Sequence, residues 1–207
     1  QAIQSPAIDR ERSAAERYLS VLLRRPRPGV ALDRVYGFHV QDESLDKLYD
    51  QLVDAQTCHA GAGQMVWGLI ELQRGKHAEA ARALASAEPQ RPDDAACSFY
   101  LGRALLAVGK PDEAAEAMQR AINKGPARAE ALMMFTDLSR LSTRGGQVER
   151  ALAVSEKLQA MFPGDTRVGG QIARTLAEEE RFELARERFE SLAESTRKPV
   201  EKIRFAV

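Results

Sequence analysis

The chain has 207 residues, enough to bury a sizeable core in one medium domain or a short repeat array. Lys and Arg total 30 and Asp and Glu also total 30, so the balance gives no basic footprint for nucleic acid and no attraction to an anionic membrane. Aromatics are sparse at 6%, Ala, Leu, Glu, Arg and Gln are frequent, and no apolar run reaches the ~20 residues that cross a bilayer.

Residues 8–24 read as a helix, with Ala15, Tyr18, Leu19 and Leu22 at i, i+3, i+4 and i+7. The run Arg24-Arg25-Pro26-Arg27-Pro28-Gly29 breaks it and reads as a solvated loop, its three arginines standing out against a neutral remainder. Val30, Leu32, Val35, Tyr36 and Phe38 form a short helix of two to three turns. Asp42 or Ser44 offers the cap of the next helix, whose apolar face is Leu45, Leu48, Tyr49, Leu52 and Val53. Residues 1–60 are therefore expected to form a helical cap that shields the start of the remaining chain. A detached helical module on the 56–63 link is the alternative.

A repeat of 34 residues starts at Gly61. Gly68, Gly75, Ala80, Leu84, Ala87 and Pro92 stand at positions 8, 15, 20, 24, 27 and 32 of the first window. Gly102, Gly109, Ala114, Met118, Ala121 and Pro126 hold the same positions in the second. Each position has a physical reading. Small residues at 8 and 20 let two helices approach closely. Glycine at 15 ends the first helix in a left-handed cap. Larger apolar groups at 7, 24 and 27 fill the seam, and proline at 32 stops the second helix. Trp67, at position 7, reads as a packed core residue.

The third window, 129–165, has Phe135 at position 7, then a longer turn through Thr143, Arg144, Gly145, Gly146 and Gln147. Its Thr136 and Ser155 depart from the pattern, so it should be the loosest. The fourth, 166–199, keeps Ile172, Ala173, Ala185, Phe189 and Leu192 but has Glu180 at position 15. Residues 200–207 read as the start of a further helix. With no polar end cap, a fragment of a longer array is expected.

The spacing resembles the tetratricopeptide repeat (TPR) family, tightly over 61–128 and more weakly to 199. The resemblance implies an all-α, right-handed helical-hairpin solenoid of four repeats (61–94, 95–128, 129–165 and 166–199) behind an N-terminal helical cap. It also implies a scaffold or adaptor that binds a protein or peptide segment in a concave groove. In such repeats the groove is lined by positions 2, 5, 9, 12 and 13 of each first helix. That nominates Met65, Leu69 and Leu72, then Phe99, Arg103 and Leu106, then Met133 and Arg140, and Arg174 in the fourth repeat. The groove would be apolar toward its N-terminal half and charged toward the other. Met65 and Leu69 stand where a carboxylate-gripping TPR groove carries Lys and Asn, so that ligand class is disfavoured. Leu69→Glu with Phe99→Glu is expected to abolish binding while helical content survives. The competing reading fills the same stripe with the protein's own N-terminal helix and makes it plain core.

Catalysis and cofactors find no support in the residues. Cys58, His59, His77 and Cys97 supply zinc-ligand types without the short paired spacings of structural zinc sites. The two cysteines, in different elements, read as thiols rather than a bridge. Gly61-Ala62-Gly63 lacks the Lys-Ser/Thr and preceding strand of a phosphate loop. No enzyme activity, metal or cofactor is expected, and no nucleic-acid partner or membrane insertion. Two alternatives stand beside the scaffold: a structural array segment that self-associates, and the regulatory, non-catalytic part of a larger enzyme. The absent initiating methionine and the resemblance to long bacterial TPR proteins tilt the expected location toward export, with a cytoplasmic one left open.

Overall fold

The computed structural model describes residues 6–54, 60–144 and 148–195. Among them are eleven α-helices and no strand. They run α1 (Pro6–Arg24), α2 (Val30–Gln41), α3 (Leu45–Asp54), α4 (Ala62–Gln73), α5 (His77–Ala87), α6 (Ala95–Ala107), α7 (Pro111–Asn123), α8 (Arg128–Arg144), α9 (Val148–Met161), α10 (Thr166–Glu178) and α11 (Phe182–Ser195). The helices form two compact units, residues 1–114 and 115–207.

In the first unit α4 and α5 form a tight hairpin, α5 packs in turn on α6, and α1, α2 and α3 all contact α4. The N-terminal helices therefore dock on the first repeat as a cap. A methyl group on Gly68 would meet Leu84 Cγ at 2.6 Å, so the small residue at position 8 sets how closely α4 and α5 approach. Leu84, Met65, Val66, Ile70, Phe99, Leu48 and Leu52 are buried in this unit. Each such side chain contributes roughly 1.5–3 kcal/mol by leaving water. In the second unit α8 packs on α9, α10 on α11, and α10 contacts both α8 and α9. Phe135, Leu138, Leu158, Val168 and Ile172 are buried there.

Position 15 behaves as its glycines imply. Gly75 and Gly109 have φ of 72° and 78°, and the amides of the next residues, Lys76 and Lys110, reach back to the carbonyls of Glu71 and Leu105. These bonds close the helix end and satisfy carbonyls that have no partner within the helix. Glu180 adopts the same left-handed conformation at φ 61°, and Arg181 N–H donates to Leu176 O at 2.8 Å. The side chain there has to be strained to keep the repeat's geometry. Replacing Glu180 with Gly should raise stability by about 0.5–1 kcal/mol, read from a urea melt of the variant beside the parent. An unchanged midpoint would mean that the left-handed turn costs this glutamate nothing.

The turn after α8 begins later than the sequence suggests. α8 continues through Thr143 and Arg144, while 145–147 lie outside the described residues, as do 196–207. The two polar residues of the third seam bond within their own helices. Thr136 Oγ1 donates to Leu132 O at 3.0 Å, and Ser155 Oγ to Leu152 O at 2.7 Å. A buried hydroxyl satisfied in this way avoids the desolvation penalty of an unpaired one.

The N-terminal cap holds one titratable group away from water. His39 is buried among α1, α2 and α3, with Nδ1 2.9 Å from Ser44 Oγ and 3.2 Å from Ser44 O. A carbonyl can only accept and a hydroxyl can do either, so both contacts are met when Nδ1 carries the proton. Burial pushes the imidazolium pKa down, against the carbonyl bond and Asp42, which favour the charged form; Lys47 adds to the lowering. Arg12 and Glu16 of α1 line the same cleft. Because the folded pKa lies below the unfolded value of about 6.5, the unfolded chain binds more protons between the two. Stability is full above about pH 6.5 and falls as pH drops through that window. Melting temperatures at pH 7 and pH 5 should differ in the parent and differ less in His39→Gln.

Candidate functional site

The nominated groove residues lie on the first helix of each repeat, three to four residues apart, which aligns them along one face. In α4 burial falls along that face. Met65 is 0% and Leu69 2% exposed, whereas Leu72 is half-buried and Gln73 exposed. In α6 the order is the same: Phe99 is 0% exposed, Arg103 is exposed and Leu106 is 41% exposed. Met65, Leu69 and Phe99 thus present no surface to a partner and belong to the core of the first unit. For Met65 and Leu69 the physical cause is that α1, α2 and α3 pack on α4; Phe99 lies on α6, which packs on α5 and α4. Of the two readings of the apolar stripe, core fits these three residues. Leu72, Arg103 and Leu106 stay accessible.

A cavity of about 300 Å³ lies where this face opens. Leu69, Leu72 and Gln73 of α4, His77 at the start of α5, and Tyr100, Arg103 and Ala107 of α6 form its wall, and Pro28 and Leu32 approach from the N-terminal side. Gln73 Nε2 donates to Asp33 Oδ1 at 2.7 Å. The Arg103 guanidinium carbon stands 5.9 Å from the centre of the Phe99 ring, a cation–π distance.

At the start of α6, Asp94 caps the helix by accepting from Ala96 N–H at 3.1 Å. Its carboxylate also takes Arg27 Nη2 at 3.0 Å and Arg91 Nη2 at 2.7 Å. Burial opposes ionisation here, but the bonds from Arg27 and Arg91 outweigh it and hold the Asp94 carboxyl below the usual range. Arg27 is therefore a structural tie rather than part of a solvated loop, while Arg24 and Arg25 are exposed. In the second unit Asp165 plays the same part. It caps α10 through Arg167 N–H at 2.9 Å and pairs with Arg128 Nη1 at 2.8 Å. That arginine's hydrogen bond, against some desolvation, lowers its pKa.

The arginines of the nominated set's second half are engaged by side chains at the C-terminal end of α10 and within it. Arg140 Nη2 meets Glu178 Oε2 at 3.1 Å and its Nε meets Glu179 Oε1 at 3.7 Å, joining α8 to α10. Arg174 Nη2 donates to Gln171 Oε1 at 3.2 Å. Such exposed pairs are worth about 0–1 kcal/mol and yield readily to a competing partner. Met133 is 39% exposed on α8.

Trp67 is not fully packed. It is half-buried and stands edge-on to Tyr49, ring centres 5.1 Å apart, beside an open cleft between α3 and α5. Cys97 is buried and its Sγ lies 3.8 Å from Leu84 O, while Cys58 and His59 lie outside the described residues. Among the described residues no group of three or more His, Cys, Asp or Glu is placed to hold a metal ion, and no helix is long and apolar enough to cross a membrane.

The family profile of the tetratricopeptide repeat matches residues 65–129 and again 101–166. The chain belongs to the TPR family. TPR arrays are protein–protein interaction scaffolds, generally without catalysis of their own, that bind protein or peptide partners. Solved structures share the fold at low identity. MamA is 17% identical with a TM-score of 0.57, over 91% of this chain and 95% of that one. The TPR-like repeats of a Podosopora anserina putative kinesin light chain are 19% identical with a TM-score of 0.54, over 94% and 100%. YrrB, described as a TPR protein with an unusual peptide-binding site, is 15% identical with a TM-score of 0.50, over 92% and 97%. No curated protein matches the sequence.

Proposed function

We propose that this TPR chain is a scaffold or adaptor that holds a segment of a protein partner on the groove-facing side of its first helices. The contact residues are Leu72, Arg103 and Leu106 in the first unit and Met133, Arg140 and Arg174 in the second. We assign it no reaction. The supporting observation is that Leu106 and Met133, large apolar residues at groove positions, are 41% and 39% exposed. Each suits an adaptable apolar contact within its own unit, and the arginines on the same helices and on α10 suit an acidic flank.

Leu106→Glu with Met133→Glu tests this reading, because surface changes of this kind usually move stability by no more than about 0.5 kcal/mol. Native and variant chains serve as paired baits in the source lysate, with circular dichroism as the check on folding. A protein held by the native bait and lost by the folded variant supports the reading. Equal capture by both baits rejects it.

A further inference from the structure

We infer that the α1–α2 hairpin is a displaceable internal ligand, its Arg27–Asp33 stretch occupying part of the α4–α6 face that a partner segment would take. The inference deepens the groove reading above and rests on it. Along seven residues the stretch makes the contacts of a docked peptide. Arg27 pairs with Asp94 at one end, and Asp33 accepts from Gln73 at the other. Pro28 and Leu32 lie between them in sequence and line the same cavity as Leu69 and Leu72. Gly29, at φ 132°, turns the chain into α2 between these contacts.

The stretch does not cover the whole face. A pocket of about 300 Å³, open to solvent, borders Leu32, which is itself buried. The two ends are held by side-chain bonds that another chain can reproduce. The internal ligand therefore also describes its competitor. A partner carries a cation toward Asp94, a proline or other apolar residue beside it, a large apolar side chain five residues after the cation, and a carboxylate next to that. A side chain longer than leucine at the apolar position reaches into the pocket that Leu32 only borders, and so displaces the hairpin more effectively.

Native-state hydrogen exchange on the full chain tests the hairpin without any partner. We expect amides of α1 and α2 to exchange at least tenfold faster than those of α4 and α5. In Arg27→Ala/Asp33→Ala the hairpin's exchange should rise by about a further tenfold, the loss expected for a charge-assisted hydrogen bond, while α4 and α5 stay as they were. Asp33→Ala alone, at an exposed residue, supplies the same comparison if the double variant does not fold. The probe is a labelled synthetic peptide of residues 25–36. It should bind the loosened variant, bind the native chain at least tenfold more weakly, and lose at least fivefold in affinity when Asp94→Asn and Gln73→Ala are added. Asparagine keeps the helix cap while removing the charge.

Exchange of α1 and α2 only in step with α4 and α5 would overturn the inference, making the hairpin ordinary core. So would a loosened hairpin that leaves the peptide unbound. Because exchange needs no partner, a failure here is separable from failure of the Leu106 and Met133 test.

Discussion

Leu69→Glu combined with Phe99→Glu should unfold residues 1–114 rather than silence a binding surface. Both side chains are buried, at 2% and 0% exposure. Truncating a buried Leu or Phe costs about 2–5 kcal/mol, and an unpaired carboxylate in its place adds a desolvation penalty of several more. Two such changes reach or exceed the ~5–15 kcal/mol that holds a domain of this kind together. Far-UV circular dichroism at 25 °C should show lost helix, and a urea melt should show a smaller cooperative amplitude than the parent. Helical content within a few per cent of the parent would contradict the burial of this stripe. Repeat offsets alone led to the other expectation, that the double variant keeps its helices and loses only its partner; the burial of both side chains favours unfolding. A partner lost by such a variant would report unfolding, which is why the binding test uses Leu106 and Met133.

Gly63→Ala should cost about 3 kcal/mol, near the upper end of what overpacking a core costs. A methyl group there falls inside the contact distance of the Leu52 carbonyl oxygen, and 2.9 Å from the carbonyl carbon. These are backbone atoms, so no rotamer change relieves the clash. α3 would have to lift from α4, drawing Leu48 and Leu52 out of a site where they are fully buried. Gly37, inside α2, is the control. Nothing lies within 4 Å of its missing methyl, so Gly37→Ala should stabilise by about 0.5–1 kcal/mol through helix propensity alone. Thermal melts of the two variants should move in opposite directions. A loss in both would point to a general intolerance of change in the N-terminal helices, and no loss at Gly63 would mean that α3 is not tightly seated.

The repeat was legible because its key positions answer to local physics. Gly75 and Gly109 end helices, and Gly68 admits Leu84, within a few residues or across one hairpin. Glu180 could be read only from its place in the repeat, since glutamate has no preference for a left-handed turn. The aspartates before α6 and α10 carried an ordinary helix-cap signal that the repeat pattern overshadowed. Burial of the groove stripe was of another kind. Offsets within a repeat set which way Met65, Leu69 and Phe99 face, but not whether a distant part of the chain covers them. Arg27 and Asp94 are 67 residues apart, and no local periodicity joins them.

Asp94 and Asp165 also bear on how such an array can be cut and spliced. By repeat counting each closes a unit, yet its carboxylate serves the next helix and an arginine from an earlier segment. A module excised at Ala95 or Thr166 would begin with uncapped amides and leave its aspartate on the wrong piece. The practical seam for transplanting a repeat therefore runs one residue upstream of the numerical boundary, and each graft must bring along, or find in its host, the arginine that the aspartate holds.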